Sequence, residues 1–207
     1  EFGPGIITYT LDDENSKIPI NKTPLSTLVK VLTTIGVQSK KEKDIIANSI
    51  LDWIDSDKNH RLNGAENDFY QELTPPYFAK NAPIEHLDEL AMIRGIDEKI
   101  LYGTDQNKGL INYFTTYNVK SVNPNTASPK ILSIMFSKSQ AKMIIKEREK
   151  NGFYDKSKSD YFRIRSTGKI KGSPTNHTIN TVVQKTFEKD KPVILTHYWN
   201  DNSLKNF

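Results

Sequence analysis

The stretch Ile6-Ile7-Thr8-Tyr9-Thr10-Leu11 is rich in β-branched and aromatic residues, which favours a β-strand near the start of the chain. After residue 161 apolar residues alternate with polar ones at period two, as in strands with one buried face. The alternating runs are Phe162/Ile164, Ile179/Thr181/Val183 and Val193/Leu195/His197/Trp199. Strands therefore lie at both ends of the chain. If they pair, everything between them is an insertion in one sheet.

The residues between these strands carry helix signals instead. Five segments combine a favourable N-cap, or a proline in the first turn, with apolar residues at helical spacing. The predicted starts are Thr23-Pro24, Ser39-Lys40-Lys41-Glu42, Pro83, Ser128-Pro129 and Ser137-Lys138-Ser139-Gln140. Gly36, Gly95 and Gly152 predict three of the helix ends. We therefore predict an α+β protein in which an antiparallel sheet domain, residues 6–21 and 161–207, carries an inserted all-helical domain, residues 22–160.

The composition excludes several function classes. The chain has 207 residues, 36% of them hydrophobic, and no cysteine, which rules out disulfides, thiol catalysis and cysteine-based zinc sites. No apolar run approaches the roughly 18–20 residues that are needed to span a bilayer.

The net charge of +4 hides an asymmetry along the chain. Residues 1–100 carry 11 Lys and Arg against 17 Asp and Glu, a net charge of −6, whereas the remainder carries 18 against 8, a net charge of +10. The first half therefore favours cations as ligands. The second half favours phosphates or an acidic protein surface.

The sharpest local pattern is the loop Asp55-Ser56-Asp57-Lys58-Asn59-His60-Arg61-Leu62-Asn63-Gly64-Ala65-Glu66. Its oxygen-bearing groups have the spacing of a calcium-binding loop, in which alternate side chains turn inward and a final Glu closes the shell. The predicted ligands are Asp55, Asp57, Asn59, the carbonyl of Arg61, Asn63 and Glu66, with Asp52 and Asp68 as alternatives. Oxygen-only ligation favours Ca²⁺ over zinc.

Two features of this segment depart from an EF-hand. His60 stands where the loop needs a glycine for positive φ, and Pro75-Pro76 leaves little room for a full exiting helix. Segments rich in Asp and Asn also form ordinary turns. On spacing alone, a calcium loop and a polar turn explain these residues equally well. Because converging carboxylates repel one another, an ordered loop would favour a bound cation.

A helix pair in the second half resembles the helix-hairpin-helix modules of DNA-uptake and repair proteins, so the inserted domain is predicted to be SAM-like or helix-hairpin-helix-like. The pair spans residues 122–132 and 141–148. Such modules bind phosphate through backbone N–H groups of a glycine-rich turn. The turn over residues 134–138 contains no glycine, which favours packing over DNA contact. A periplasmic DNA-binding protein is the alternative function.

No constellation of residues predicts catalysis. The histidines lie in different segments, at His60, His86, His177 and His197. The chain contains neither a G-x-S-x-G motif nor a phosphate-binding loop. We therefore predict that the protein is not an enzyme.

Several short motifs occur in a particular order along the chain. They are Asp13-Glu14-Asn15-Ser16-Lys17-Ile18-Pro19-Ile20-Asn21, Asp52-Trp53-Ile54-Asp55-Ser56-Asp57, Gly64-Ala65-Glu66-Asn67-Asp68-Phe69-Tyr70, Pro75-Pro76-Tyr77, Ile93-Arg94-Gly95 and Val122-Asn123-Pro124-Asn125-Thr126-Ala127. Together they resemble the general secretion pathway protein K family (GspK), the large minor pseudopilins of bacterial type II secretion systems. The resemblance covers roughly residues 8–200.

This resemblance implies a pilin-like α/β domain with a large helical insertion that binds calcium. It implies a structural protein that caps the tip of the type II secretion pseudopilus with the minor pseudopilins I and J. Such a protein helps to initiate pseudopilus assembly, which serves the export of folded proteins across the outer membrane. The resemblance further implies a periplasmic domain, anchored in the inner membrane by an N-terminal hydrophobic helix that we expect to be missing from this chain. No nucleic-acid partner is expected.

Overall fold

The secondary structure consists of strands at both ends of the chain and helices between them. A computed structural model describes residues 5–172 and 174–201. Its strands and helices, in chain order, are β1 (Gly5–Asp13), β2 (Ile18–Pro19), α1 (Leu25–Ile35), α2 (Lys40–Ile54), α3 (Asn67–Gln71), α4 (Glu98–Tyr102), β3 (Phe114–Thr115), α5 (Pro129–Met135), α6 (Lys138–Asn151), β4 (Tyr161–Ile170), β5 (Asn176–Glu188) and β6 (Lys191–Asn200). The predicted α+β class is confirmed. Within the described ranges, no helix has the length and apolar character to cross a membrane.

One four-stranded antiparallel sheet joins the two ends of the chain. Its strand order is β1-β4-β5-β6, so the first strand pairs directly with the strand that follows the helices. In this register Leu11 lies opposite Ile164, and Thr181 lies opposite Trp199. The predicted pairing of the terminal strands is confirmed, and the residues between β1 and β4 form an insertion, the helical block. The last residues of the predicted sheet domain, 202–207, lie outside the described residues.

The two faces of the sheet differ in character. Side chains alternate between the faces along each strand, and cross-strand partners share a face. One face, the apolar sheet face, carries side chains that are more than half exposed: Ile7, Tyr9, Leu11, Phe187, Ile194 and Trp199. On the opposite face Val182 is fully buried, and Tyr161 stacks on Tyr117 of the helical block with ring centroids 5.5 Å apart. The helical block therefore covers only one side of the sheet.

The helical block has a core of its own. Its most deeply buried side chains, each 1% exposed or less, include Leu32, Ile46, Ile50, Tyr70 and Phe114. Strand β2 pairs in parallel with β3, which places Ile18 in this core, and Ile20 follows it. Although the predicted boundary assigns residues 18–21 to the sheet domain, Ile18 and Ile20 pack with the helices. The domain boundaries otherwise stay a prediction.

Serine caps begin three of the helices at the predicted positions. Ser39, Ser128 and Ser137 each accept a hydrogen bond from the backbone N–H three residues further on. Helix α1 begins after Pro24, and Gly36 ends it in the left-handed conformation that glycine adopts without strain. These local signals predict the helices well because they act within a few residues of one another.

The helix predicted from Pro83 to Gly95 is wrong, since only a 3-10 helix over Leu87–Met92 forms there. The start of this segment is held by a contact from a distant part of the chain. The side-chain amide of Asn21 donates to the Ile84 carbonyl at 2.9 Å and accepts from the Ile84 N–H at 2.8 Å. Both backbone groups of Ile84 are therefore used outside a helix.

Asn15 joins the sheet to the helical block. Its side-chain oxygen accepts hydrogen bonds from the backbone N–H groups of Asp160 and Tyr161, at 3.1 and 3.0 Å, where β4 begins. Its backbone carbonyl accepts from the N–H of Asn123 in the helical block, at 2.7 Å. One buried residue thus satisfies backbone groups from both parts of the molecule.

Glu14 adds a buried charge at the same place. Its carboxylate, 1% exposed, accepts from Nε of Arg163 at 2.6 Å, from Nζ of Lys17 at 3.2 Å and from the hydroxyl of Thr115 at 2.7 Å. Burial alone would raise the pKa of Glu14, but Lys17, Arg163 and Thr115 outweigh it and leave the pKa below its ordinary value. We call Glu14, Asn15, Asn123 and Arg163 the sheet–helix junction.

Glu14→Gln should destabilise the protein at pH 7 by about 1–3 kcal/mol, because it removes the charge that Arg163 and Lys17 pair with. A carboxylate with a lowered pKa stabilises the folded state above its unfolded pKa, and this contribution is lost as pH falls through the folded pKa. The gap between wild type and variant should therefore close on acidification from pH 7 to pH 3. Urea unfolding measures it, with the exposed Asp12→Asn as control. A gap independent of pH would contradict the ion-pair role.

Candidate cation site

Two carboxylates lie at the C-terminal end of α2. Asp52 is fully buried in the last turn, and Asp55 is the residue at which the helix ends. Their spacing of three residues puts both on one side of the helix. A helix C-terminus carries partial negative charge, which disfavours carboxylates there unless a cation lies close by. The local fold therefore requires positive charge at this point.

The loop after α2 folds back so that its backbone contacts Asp52. The N–H of Arg61 lies 3.2 and 3.1 Å from the two Asp52 carboxylate oxygens. A turn follows, in which the N–H of Gly64 donates to the Arg61 carbonyl at 2.8 Å and Asn63 has a φ of 69°. A Cβ on Gly64 would lie 1.9 Å from an Asp52 oxygen, so only glycine permits this close approach.

The Arg61 side chain supplies one cation. Its Nη1 donates to Oδ1 of Asp52 at 2.6 Å and also to Oδ2 of Asp55. These contacts bridge the buried carboxylate and its half-buried neighbour, while the Arg61 side chain itself is 39% exposed. The pKa of Arg61, which burial alone would lower, is raised by its bonds to Asp55 and Asp52.

Glu66 is the third carboxylate of the site. It is 2% exposed, and neither of its carboxylate oxygens accepts a hydrogen bond of normal geometry from a described residue. Burial raises the pKa of Glu66, and Asp52 and Asp55 raise it further, while the nearby Asn81 amide and the Asn67 backbone N–H lower it. Among the described residues, Oδ1 of Asp55 and Oδ1 of Asn81 are also buried without a hydrogen-bond partner. Four buried acceptor oxygens are thus unsatisfied in one region.

The structure gathers only part of the predicted ligand set. Arg61 pairs with Asp52 and Asp55, and Glu66 lies close enough to both carboxylates to interact with them electrostatically. The remaining side chains of the set are exposed: Asp57, Asn59, Asn63 and the alternative Asp68. Asp57 forms a local turn, since its Oδ1 accepts from the N–H of Asn59 at 2.8 Å. In this side-chain arrangement, no three acidic or histidine side chains among the described residues are placed to hold a metal ion. The ligand set stays a prediction.

Asn81 is the residue of this region that sequence patterns miss. Its amide nitrogen donates to the Asp57 carbonyl at 2.9 Å, while its Oδ1 is buried without a hydrogen-bond partner among the described residues. Asn81 follows the Pro75-Pro76 bend, outside any ligand spacing that a single loop can show. The central position of Asp52, in contrast, has a sequence signal, because it lies one helical turn before Asp55.

Several of the short motifs noted in the sequence form a cluster of packed side chains beside these carboxylates. Trp53 packs edge-on against Tyr70 with ring centroids 5.3 Å apart, and Tyr70 stacks on Tyr77 at 5.2 Å. Arg94 lies over the Phe69 ring and donates from Nη1 to the Gly64 carbonyl at 3.0 Å. Burial raises the pKa of Tyr70 to about 12. Residues from four separate motifs therefore pack together on one side of the site.

Known proteins have sequences similar to this chain. Residues 10–103 match the profile of the family described as Type II secretion system (T2SS), protein K. The type II secretion system protein K of Pectobacterium carotovorum subsp. carotovorum is 30% identical over 163 residues, which are 73% of this chain and 47% of that protein. Residues 10–103 therefore carry a domain of the type II secretion system protein K family.

Further relatives agree with this assignment. The protein K of Klebsiella pneumoniae is 29% identical over 96 residues, 46% of this chain and 28% of that protein. A chain in the crystal structure of the GspK-GspI-GspJ complex from the enterotoxigenic Escherichia coli Type 2 Secretion System superposes with a TM-score of 0.72 at 15% identity. The match covers 97% of this chain and 81% of that chain, so the two share a fold. This chain spans about half the length of its Pectobacterium relative.

The donor atoms of the site fit the calcium that the protein K family resemblance implies. Ca²⁺ prefers six to eight oxygen ligands, including carboxylates and amide carbonyls. The unsatisfied oxygens of Asp55, Glu66 and Asn81 are of these kinds, and the neighbouring Asp52 adds a buried carboxylate. A cation there would offset the repulsion among three carboxylates that the single Arg61 offsets only in part.

The α5–α6 pair does not favour the DNA-binding alternative. The Ser137 hydroxyl accepts from the Gln140 N–H at 3.3 Å, and the Gln140 side chain accepts from the Ser137 N–H at 3.1 Å. This capping box occupies N–H groups that a DNA-binding hairpin would offer to phosphate. The apolar residues of the pair are buried in the helical core, at Ile131, Ile134, Ala141 and Ile144. The pair therefore serves packing.

Glu66→Gln should stabilise the protein in the absence of calcium by about 1 kcal/mol at pH 7, because the amide removes an unpaired buried charge and can donate to a neighbouring acceptor. Because the pKa of Glu66 is raised in the folded state, its ionised form destabilises the fold above that pKa. The stabilisation by Glu66→Gln should therefore disappear on acidification, where Glu66 is protonated. Urea unfolding in chelator measures both effects. The exposed Glu72→Gln serves as control and should change little. Destabilisation by Glu66→Gln at pH 7 would contradict the isolated buried charge.

Proposed function

We propose that this chain is the folded head of a minor pseudopilin K, which caps the tip of the type II secretion pseudopilus together with the minor pseudopilins I and J. The observation that carries the proposal is the match of 97% of the chain to a chain of the GspK-GspI-GspJ complex. The sequence similarity to type II secretion system protein K supports the same role. In this role the protein helps to initiate assembly of the pseudopilus, which serves the export of folded proteins across the outer membrane.

The position of the helical block supports a role at the tip. The block is inserted between β1 and β4, neighbouring strands of the sheet, and it is held there by the contacts of Asn15 and Glu14. A block of this size would obstruct a further subunit stacked above the sheet. A subunit that ends a filament faces no such obstruction, so the insertion suits a cap better than a repeated subunit of the shaft.

The apolar sheet face supports assembly through the other side of the sheet. Tyr9 is 75% exposed and Trp199 is 58% exposed, in a row of apolar side chains that no described residue covers. Such a face is typical of an interaction surface. We assign it to packing against a hydrophobic N-terminal helix and neighbouring pseudopilins. That helix would anchor the periplasmic head in the inner membrane before assembly.

This role needs binding and not catalysis. The family resemblance is to structural pseudopilins, and the sequence holds no catalytic motif. The fold instead offers the apolar sheet face as a binding surface. We propose a non-enzymatic, structural function on these grounds.

The assembly proposal predicts complex formation with the heads of pseudopilins I and J from the same system. An equimolar mixture at tens of micromolar should sediment as one species with the summed mass, because the apolar sheet face and its neighbours are buried on association. Sedimentation velocity of the three proteins alone, in pairs and together measures it. Independent sedimentation of the chain in every mixture would contradict the proposal.

Calcium is proposed as the ligand of the cation site, where it would stabilise the helical block. The unsatisfied oxygens of Asp55, Glu66 and Asn81 and the buried carboxylate of Asp52 support this ligand group. The spacing-based set of Asp57, Asn59, Asn63 and the Arg61 carbonyl is the competing group. Because these exposed groups lie on the loop surface, the two ligand groups differ in their sensitivity to substitution.

Millimolar Ca²⁺ should raise the melting temperature relative to EGTA, since a ligand at a hundredfold excess over its Kd stabilises the folded state by about 2.7 kcal/mol. Asp55→Asn should abolish the rise, whereas Asp57→Asn should preserve it if the buried group binds the ion. Loss of the rise in both variants would favour the spacing-based set. Identical melting of the wild type in Ca²⁺ and EGTA would contradict calcium binding altogether.

A further inference from the structure

The charges of the cation site are arranged around a side chain that already acts as a cation. We propose that Arg61 is an internal counter-cation of this site: its guanidinium holds Asp52 and Asp55 together when calcium is absent, and calcium binds only by displacing it. The inference rests on the proposed calcium site. It assigns the Arg61 side chain a role opposite to that of a metal ligand, because it would weaken calcium binding while stabilising the calcium-free protein.

The guanidinium of Arg61 contacts both carboxylates at the end of α2. One nitrogen, Nη1, reaches both Asp52 Oδ1, at 2.6 Å, and Asp55 Oδ2. A single donor atom between two carboxylates occupies the place that a shared cation would take. Without it, two acidic groups at a helix C-terminus would face each other across the same gap, with Asp52 fully buried.

The oxygens that remain show why the two cations compete. Among the described residues, four buried oxygens lack hydrogen-bond partners: Oδ1 of Asp55, both carboxylate oxygens of Glu66 and Oδ1 of Asn81. Calcium takes six to eight oxygen ligands, some of which can be waters, and it favours carboxylates. The Arg61 guanidinium holds Oδ1 of Asp52 and Oδ2 of Asp55, two carboxylate oxygens that an ion at this site would share. A dication beside a guanidinium on shared carboxylates would also be repelled by it.

Displacement is sterically open. The Arg61 side chain is 39% exposed, so its guanidinium can turn into solvent without crossing the core. The backbone N–H of Arg61 would keep its contact with the Asp52 carboxylate, and the Gly64 turn would keep the loop in place. The exchange therefore needs a side-chain rotation and no refolding of the loop.

Arg61→Met tests this inference, since Met keeps much of the apolar stem and removes the charge. Calorimetric titration with CaCl₂ at fixed ionic strength should give a Kd at least tenfold lower for the variant than for the wild type. In EGTA the variant should melt at a lower temperature than the wild type, and saturating Ca²⁺ should remove most of that difference. Lys58→Met is the matched control, because it removes an exposed charge from the same loop and should change the Kd less than threefold.

The outcomes separate this inference from the calcium proposal. A Kd that is unchanged or higher in Arg61→Met, with calcium still bound, overturns the displacement by Arg61 and leaves the calcium site standing. An equal decrease in the calcium Kd in Arg61→Met and Lys58→Met also overturns it, because the loss of any positive charge from the loop would then explain the tighter binding. Absence of binding in wild type and Arg61→Met overturns both. Binding by the variant alone supports the inference and shows that Arg61 excludes the ion.

Discussion

The buried contacts of Glu14 and Asn15 determine how the two parts of this molecule are joined. A sheet that is covered on one side and a helical block with its own core could each be stable in many relative positions. Asn15 removes that freedom, because its side chain binds the first backbone N–H groups of β4 while its carbonyl binds the Asn123 N–H. Glu14 adds an ion pair to Arg163 on β4 and a hydrogen bond to Thr115 on β3. Strand and block are thereby held by the same two residues.

The two buried carboxylates Glu14 and Glu66 differ in their partners and in the direction of their pKa shifts. Glu14 has two cationic partners and a hydroxyl donor, and the pKa of this carboxyl is lowered despite its burial. Glu66 is buried to a similar extent, forms no ion pair with a described residue, and has a raised pKa. Because isolated buried charges disfavour folding, the first arrangement serves permanent structure. The second is suited to a ligand that supplies the missing charge, which is the physical basis for the proposed calcium site.

How far the sequence predicts this structure depends on the range of the interactions involved. The strands and the helices capped by Ser39, Ser128 and Ser137 follow from patterns within a few residues, and they are confirmed. The helix expected after Pro83 forms only as a 3-10 helix over Leu87–Met92, and Asn21, far away in the chain, binds both backbone groups of Ile84 at the start of that segment. At the cation site the acidic loop is visible in the sequence. The role of the Arg61 side chain and the proximity of Asn81 depend on folding of the loop, so no spacing rule reveals them.

Amide hydrogen exchange under native conditions tests most directly whether the sheet–helix junction holds the head together as one body. The informative amides are those of Asp160, Tyr161 and Asn123, which donate to Asn15. If the junction is as strong as the cores it joins, these amides exchange only through global unfolding, with the same free energy as the amides of Leu32 and Ile46 in the helical core. Exchange of the junction amides at a much lower free energy, while the helical core stays protected, would show that the block detaches from the sheet and would contradict this account.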